Sequence, residues 1–155
     1  MQASEIPLAK TPPGGYGSDM PPPLLGDCTE PLPDGVPDLR GTWRVVDVRW
    51  KMGEAPDPNP VGDHVERIEQ CGNRICITAG GVIHDMFADG TAEHGVNDVA
   101  AATGEPISVV CTFEDGVHTL RPVGMPGVEV TRRLDGDVLV WEYGPMFVAR
   151  LERTS

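Results

Sequence analysis

The sequence predicts an all-β chain: an antiparallel up-and-down β-barrel of about 8–10 strands, preceded by a Pro-rich N-terminal tail. Three observations carry that expectation. Asp89-Gly90, Asp115-Gly116 and Asp135-Gly136 each separate short runs rich in β-branched and apolar residues. Such dipeptides supply the positive φ of a tight hairpin turn, whose twist then matches the flanking strands. No segment carries apolar residues at convincing helical spacing. Finally, nine of the 16 prolines fall within residues 1–38. Proline fixes φ and removes a backbone donor, so this stretch builds no ladder of its own.

The elements follow in order. Residues 1–38 read as a mostly extended or disordered tail; the alternative is a strap held across the domain through Leu24, Leu25 and Leu32. The domain, residues 39–155, starts near Leu39. Arg44 to Trp50 forms the first strand, with Val45, Val46 and Val48 supplying β propensity. Pro56, Pro58 and Pro60 make Gly53 to Asp63 a long loop. His64 to Gln70 pairs with Arg74 to Thr78 across Gly72-Asn73, and Gly80-Gly81 then breaks the chain. Across the three Asp-Gly turns, Val82 to Phe87 pairs with Thr91 to Val99, Ile107 to Phe113 with Val117 to Pro122, and Val128 to Leu134 with Val138 to Tyr143. Gly144-Pro145 turns into a last strand, Met146 to Arg153. Closing these hairpins into a barrel removes the exposed edges.

Composition narrows the function classes. A net charge of −12 over 155 residues repels phosphate backbones and anionic lipid headgroups, so neither nucleic acid nor a membrane is expected as a partner. No apolar run reaches the length of a membrane span and no secretory signal is visible. Cys28, Cys71, Cys76 and Cys111 are then expected as reduced thiols of a cytoplasmic protein, with Cys71 and Cys76 facing each other across the Gly72-Asn73 hairpin. Composition leaves the oligomeric state open.

Candidate site residues lie on the strands. In Val82-Ile83-His84-Asp85-Met86, alternation sends His84 and Asp85 to opposite faces, and His84 is placed inside with Val82 and Met86. His118 alternates with Leu120. Arg132 shares a face with Val130 and Leu134, where a cation needs an anionic partner, and Glu142 is the expected internal counter-ion. No His, Cys or acidic spacing matches a zinc motif, so no metal is expected. No phosphate loop or nucleophile signature is present.

Leu39-Arg40-Gly41-Thr42-Trp43 opens the domain with Gly-x-Trp at the first strand. This resembles the start of the calycins: lipocalins, fatty-acid-binding proteins and their bacterial relatives. The domain is most similar to a bacterial lipocalin-like protein. The resemblance implies that Trp43 plugs one barrel end beneath an Arg of the last strand, Arg150 or Arg153, with Arg150 taken as the barrel-closing residue. In fatty-acid-binding relatives an Arg and a Tyr of the late strands hold the ligand carboxylate; here the resemblance makes Arg132 and Tyr143 the candidates, near opposite ends of one hairpin. The Pro-rich first connection departs from their helical lid. Haem-binding calycins carry a Gly-rich first strand and a C-terminal His that this chain lacks, so no cofactor, haem included, is expected. The expected function is binding of a small hydrophobic or amphipathic ligand in the lumen by His84, Met86, His118, Arg132, Glu142 and Tyr143. The alternatives are a small barrel enzyme using lumen His and Glu as acid–base groups, and a structural barrel with a filled core.

Overall fold

The computed structural model describes residues 1–12, 15–17, 20–56, 59–100 and 106–154, with the side chains of 99, 100 and 106 set aside. Pro58 of the first connection lies outside them. Ten strands are present: β1 (Gly41–Trp50), β2 (Val65–Cys71), β3 (Arg74–Ala79), β4 (Val82–Phe87), β5 (Val96–Ala100), β6 (Pro106–Glu114), β7 (Val117–Pro122), β8 (Glu129–Asp135), β9 (Val138–Gly144) and β10 (Phe147–Arg153). They form one antiparallel sheet in the order β4-β3-β2-β1-β10-β9-β8-β7-β6-β5. Pairing of β1 with β10 curls the sheet into a nearly closed barrel. An extra residue at Val46 between Val45 and Asp47 sharpens the bend of β1, as a bulge does.

Three predicted hairpins form. At Asp115-Gly116 both residues take positive φ (51° and 80°), the pattern of the two-residue turn that matches strand twist. The Asp89-Gly90 hairpin does not form, which corrects the pairing of Val82–Phe87 with Thr91–Val99. Beyond Phe87, Asp89 accepts hydrogen bonds from the Thr91 backbone and hydroxyl and pairs with the His94 ring. These local bonds turn the chain away from β4. Gly95 then passes so close to β6 that a Cβ would meet Val109 O at 2.0 Å, and β5 pairs with β6 alone. A backbone bond, Phe87 N to His94 O at 2.9 Å, joins the two flanks of the resulting gap.

The strands alternate in direction, so the turns after β2, β4, β6 and β8 all lie at the end where β1 begins. Trp43 fills that end. It is fully buried, donates its indole N–H to Leu39 O, and carries the Arg153 guanidinium 4.3 Å above its ring. The barrel-closing arginine is therefore Arg153; Arg150 points outward to Asp135 at the surface. In an antiparallel strand one residue's shift reverses the face, and the β1–β10 register sets Trp43 opposite Arg153.

The main core lies inside the barrel and includes Trp43, Ile68, Ile75, Met86, Leu139 and Leu151. Each such fully buried side chain contributes about 1.5–3 kcal/mol. A second cluster lies outside, on the far face of β2–β4, where Cys76 and Ile83 meet Ala3 and Leu25 of the N-terminal segment. That segment is fastened by polar bonds as well. Glu69 accepts from Leu24 N and Leu25 N, Asp85 from Ala9 N, and Asp98 from Thr11 N. Thr11 thus reaches from β4 to β5 across the gap, since its hydroxyl also donates to Ile83 O.

A Cys28–Cys71 disulfide ties the same segment to β2, which corrects the expectation of four reduced thiols. Cys71 does not face Cys76 either. Cys71 stands opposite Arg74, and Cys76 opposite Glu69, because the two-residue turn sets the pairing three residues apart.

Candidate functional site

The centre of the barrel is polar. Arg132 on β8 points inward between Val130 and Leu134, and its Nε and Nη2 donate to the two carboxylate oxygens of Glu66 on β2, at 2.8 and 3.0 Å. The chain places Glu66 there because it alternates with Ile68 and Gln70 on the inner face of β2. His64, just before β2, places Nε2 2.7 Å from Glu66 Oε1 and its ring 4.5 Å from that of Trp141. Trp141 stands opposite Arg132 in the β8–β9 ladder, with the guanidinium carbon 5.0 Å from its ring centre. Phe147 meets Trp141 edge-on at 5.0 Å and continues the aromatic wall to Trp50 at 5.1 Å.

Burial by itself pushes the Glu66 carboxyl up, but the Arg132 charge and the hydrogen bonds from His64 and Arg132 outweigh it and hold the group down at about 2. The anion and the cation therefore persist together inside. This corrects the expected counter-ion. Glu142 lies on the outer face of β9 and pairs with Lys51 at the rim. Glu66 was hidden in Val65-Glu66-Arg67-Ile68-Glu69-Gln70, where both alternating faces carry polar residues and periodicity selects neither.

His118 lies directly opposite Arg132 in the β7–β8 pairing and is fully buried. Its Nε2 is 3.2 Å from Cys111 Sγ. Burial, reinforced by the Arg132 charge, pushes its imidazole down to about 3, and burial pushes the Cys111 thiol up to about 12. The pair is a neutral imidazole and a neutral thiol, not the thiolate–imidazolium couple of a nucleophile. His84 shares the inner face with Met86, opposite Ile77, and burial lowers its pKa although Asp98, 4.0 Å away, opposes this. Met86 is fully buried among the core side chains, and Tyr143 stacks on Phe147 at 5.7 Å towards the loop end. Tyr143 is opposite Val130, one inward position along from Arg132.

Among the described residues, four buried ring nitrogens on this inner face have no hydrogen-bond partner: Trp50 Nε1, Trp141 Nε1, His84 Nδ1 and His118 Nδ1. They are carried by β1, β9, β4 and β7. At the loop end a cleft of about 480 Å³, lined by Met20, Pro60, Asp63, Ala79, Gly80 and Gly81, reaches His64. Among the described residues no helix is long and apolar enough to cross a membrane.

No protein-family model and no curated sequence matches the chain. Solved structures do match it in fold. Human cRBP IV, a cellular retinol-binding protein, superposes with a TM-score of 0.57 at 16% identity, covering 76% of this chain and 99% of that one. Zebrafish ileal bile acid-binding protein, solved with cholic acid, gives 0.54 at 16% identity, covering 74% and 98%. The ten antiparallel strands, the Trp43 plug beneath Arg153 and these superpositions give the chain a nearly closed β-barrel of calycin-like fold, the fold of these two structures.

Proposed function

We propose that the barrel binds a small amphipathic molecule in its interior. The observation that carries this reading is the set of four inner-face ring nitrogens without a partner among the described residues, together with the buried Arg132–Glu66 pair. A buried polar atom left without a partner costs roughly 1–3 kcal/mol, and the oxygen of a bound molecule or an ordered water removes that cost. The surrounding wall of Trp50, Phe147, Phe113 and Met86 suits a hydrocarbon body. The fold neighbours support the reading: one was solved with cholic acid bound and the other is described as a retinol-binding protein. His84, His118 and Tyr143 are then wall residues, whereas Glu142 lies outside it.

A second reading, a barrel filled by its own side chains, is favoured by the complete burial of Met86, Cys111 and His118. Mass spectrometry of the natively purified chain separates the two. A co-purifying small molecule, or saturable binding of an apolar fluorescent probe that quenches tryptophan emission, supports interior binding. A ligand-free protein that takes no probe establishes the filled barrel.

A further inference from the structure

We infer that the polar end of the bound molecule is an uncharged hydrogen-bond acceptor, such as a ketone or ester oxygen, and not a carboxylate. The inference rests on the interior-binding reading above. Arg132 is the cation at the centre of the barrel, and it is already neutralised in place: Glu66 takes both its Nε and its Nη2 in the two-point geometry that arginine and carboxylate favour. Glu66 is itself fully buried and remains ionised beside Arg132. A second carboxylate brought to this place loses its water, meets the negative charge of Glu66 and finds no uncompensated cation among the described inner-face residues to repay either cost.

What the interior does offer is neutral. An indole N–H is a donor only, so Trp50 and Trp141 each require an acceptor. His84 and His118 add one ring nitrogen apiece, and the low pKa of His118 keeps its ring uncharged. A ketone or ester oxygen accepts from an indole without adding charge to the site. Asp98, at 4.0 Å from His84 Nδ1, further disfavours an anion on that side.

The test is calorimetric titration of the full chain with an aliphatic carboxylate, its methyl ester and a methyl ketone of matched length. Measurements at about pH 8 keep histidines largely neutral. The ester and ketone are expected to bind at least about tenfold more tightly than the acid. Trp141→Phe keeps the ring and deletes one donor; it is expected to weaken the ester about 3- to 10-fold, the worth of one hydrogen bond. Glu66→Gln uncovers the Arg132 charge and is expected to shift the acid-to-ester preference at least about tenfold towards the acid. An acid that binds wild type as well as the ester overturns the inference and leaves interior binding standing. So does ester binding that is indifferent to Trp141→Phe. Binding of none of the three compounds removes the interior-binding reading and the inference with it. The wild-type comparison stands even if Glu66→Gln fails to fold.

Discussion

Two arginines are buried in this barrel, on opposite faces of its wall, and they are finished differently. Arg74 lies outside, under the N-terminal segment. It grips Asp85 through Nε and Nη2 at 2.8 and 2.6 Å, and gives its remaining donors to the carbonyls of Ala3, Ile6 and Pro7. Five donors meet five acceptors, and the cluster is closed. Arg132 lies inside and grips Glu66 with both oxygens engaged, but inner-face ring nitrogens of His118, His84 and Trp141 keep no partner among the described residues. A completed polar cluster holds structure together; an uncompleted one is a place for something else. The outer arginine reads as a fastening; under the proposed function the inner one is the floor of the site.

Mutations can break that contrast, starting with the largest effect. Arg74→Ala leaves Asp85 buried without its cation and three carbonyls without a donor, and is expected to cost about 3–5 kcal/mol in urea unfolding. Replacing Arg74 and Asp85 together by leucines remains destabilising, because the carbonyls of the N-terminal segment still lack partners. The same double replacement of Arg132 and Glu66 is expected to leave stability level or higher, as buried pairs exchanged for apolar groups often do. Equal losses at the two pairs would erase the distinction.

Next comes the tie that holds the outer cluster in place. The Cys28–Cys71 bond closes a loop with a sequence separation of 43. Cys28→Ser with Cys71→Ser is expected to cost about 4 kcal/mol in the chain-entropy picture. Native-state hydrogen exchange should show the loss concentrated at Ala9 and Thr11, whose amides bond to Asp85 and Asp98. Uniform acceleration across β8 and β9 would separate the disulfide from the fastening role.

Acid attacks the inner cluster. The folded pKa of Glu66, about 2, lies below its ordinary 4.5, so its stabilisation is present above about pH 4.5 and lost as pH falls towards 2. His118, held at about 3 against 6.5, acts in the same direction over pH 6.5 to 3, because the unfolded chain binds a proton that the fold excludes. Glu66 accounts for roughly 3 kcal/mol of the fall between pH 7 and pH 2. The check is the pH slope of the urea midpoint, which should flatten in Glu66→Gln. The smallest effect belongs to Arg153, whose exposed guanidinium caps the Trp43 ring and donates to the carbonyls of Arg40 and Asp38. Arg153→Ala is expected to cost about 0.5–1 kcal/mol, read from the thermal midpoint.

Much of the fold was legible before any coordinates. The hairpins at Gly72-Asn73, Asp115-Gly116 and Asp135-Gly136 and the inward side of His84 follow from local rules of turn chemistry and alternation, whereas the plug at Trp43 came from the resemblance carried by Gly41-Thr42-Trp43. The Asp89-Gly90 turn misled because its dipeptide is equally fit for a hairpin and for the side-chain-bonded loop that Thr91 and His94 complete. Arg132 was recognisable as a cation on an apolar strand face. Its partner was not, since Glu66 and Glu142 compete for that role until register decides which one points inward.

The sequence by itself determined the succession of strands, three of the tight turns and the inner faces of β4 and β8, because each depends on neighbours within a few residues. Tertiary structure alone decided three things: the Glu66–Arg132 pair, the gap between β4 and β5, and the packing of the N-terminal segment under the Cys28–Cys71 bond. Each joins residues distant in sequence or depends on which strand edges meet. Such meetings are fixed by curling the whole sheet until β1 finds β10, and no local pattern encodes that closure.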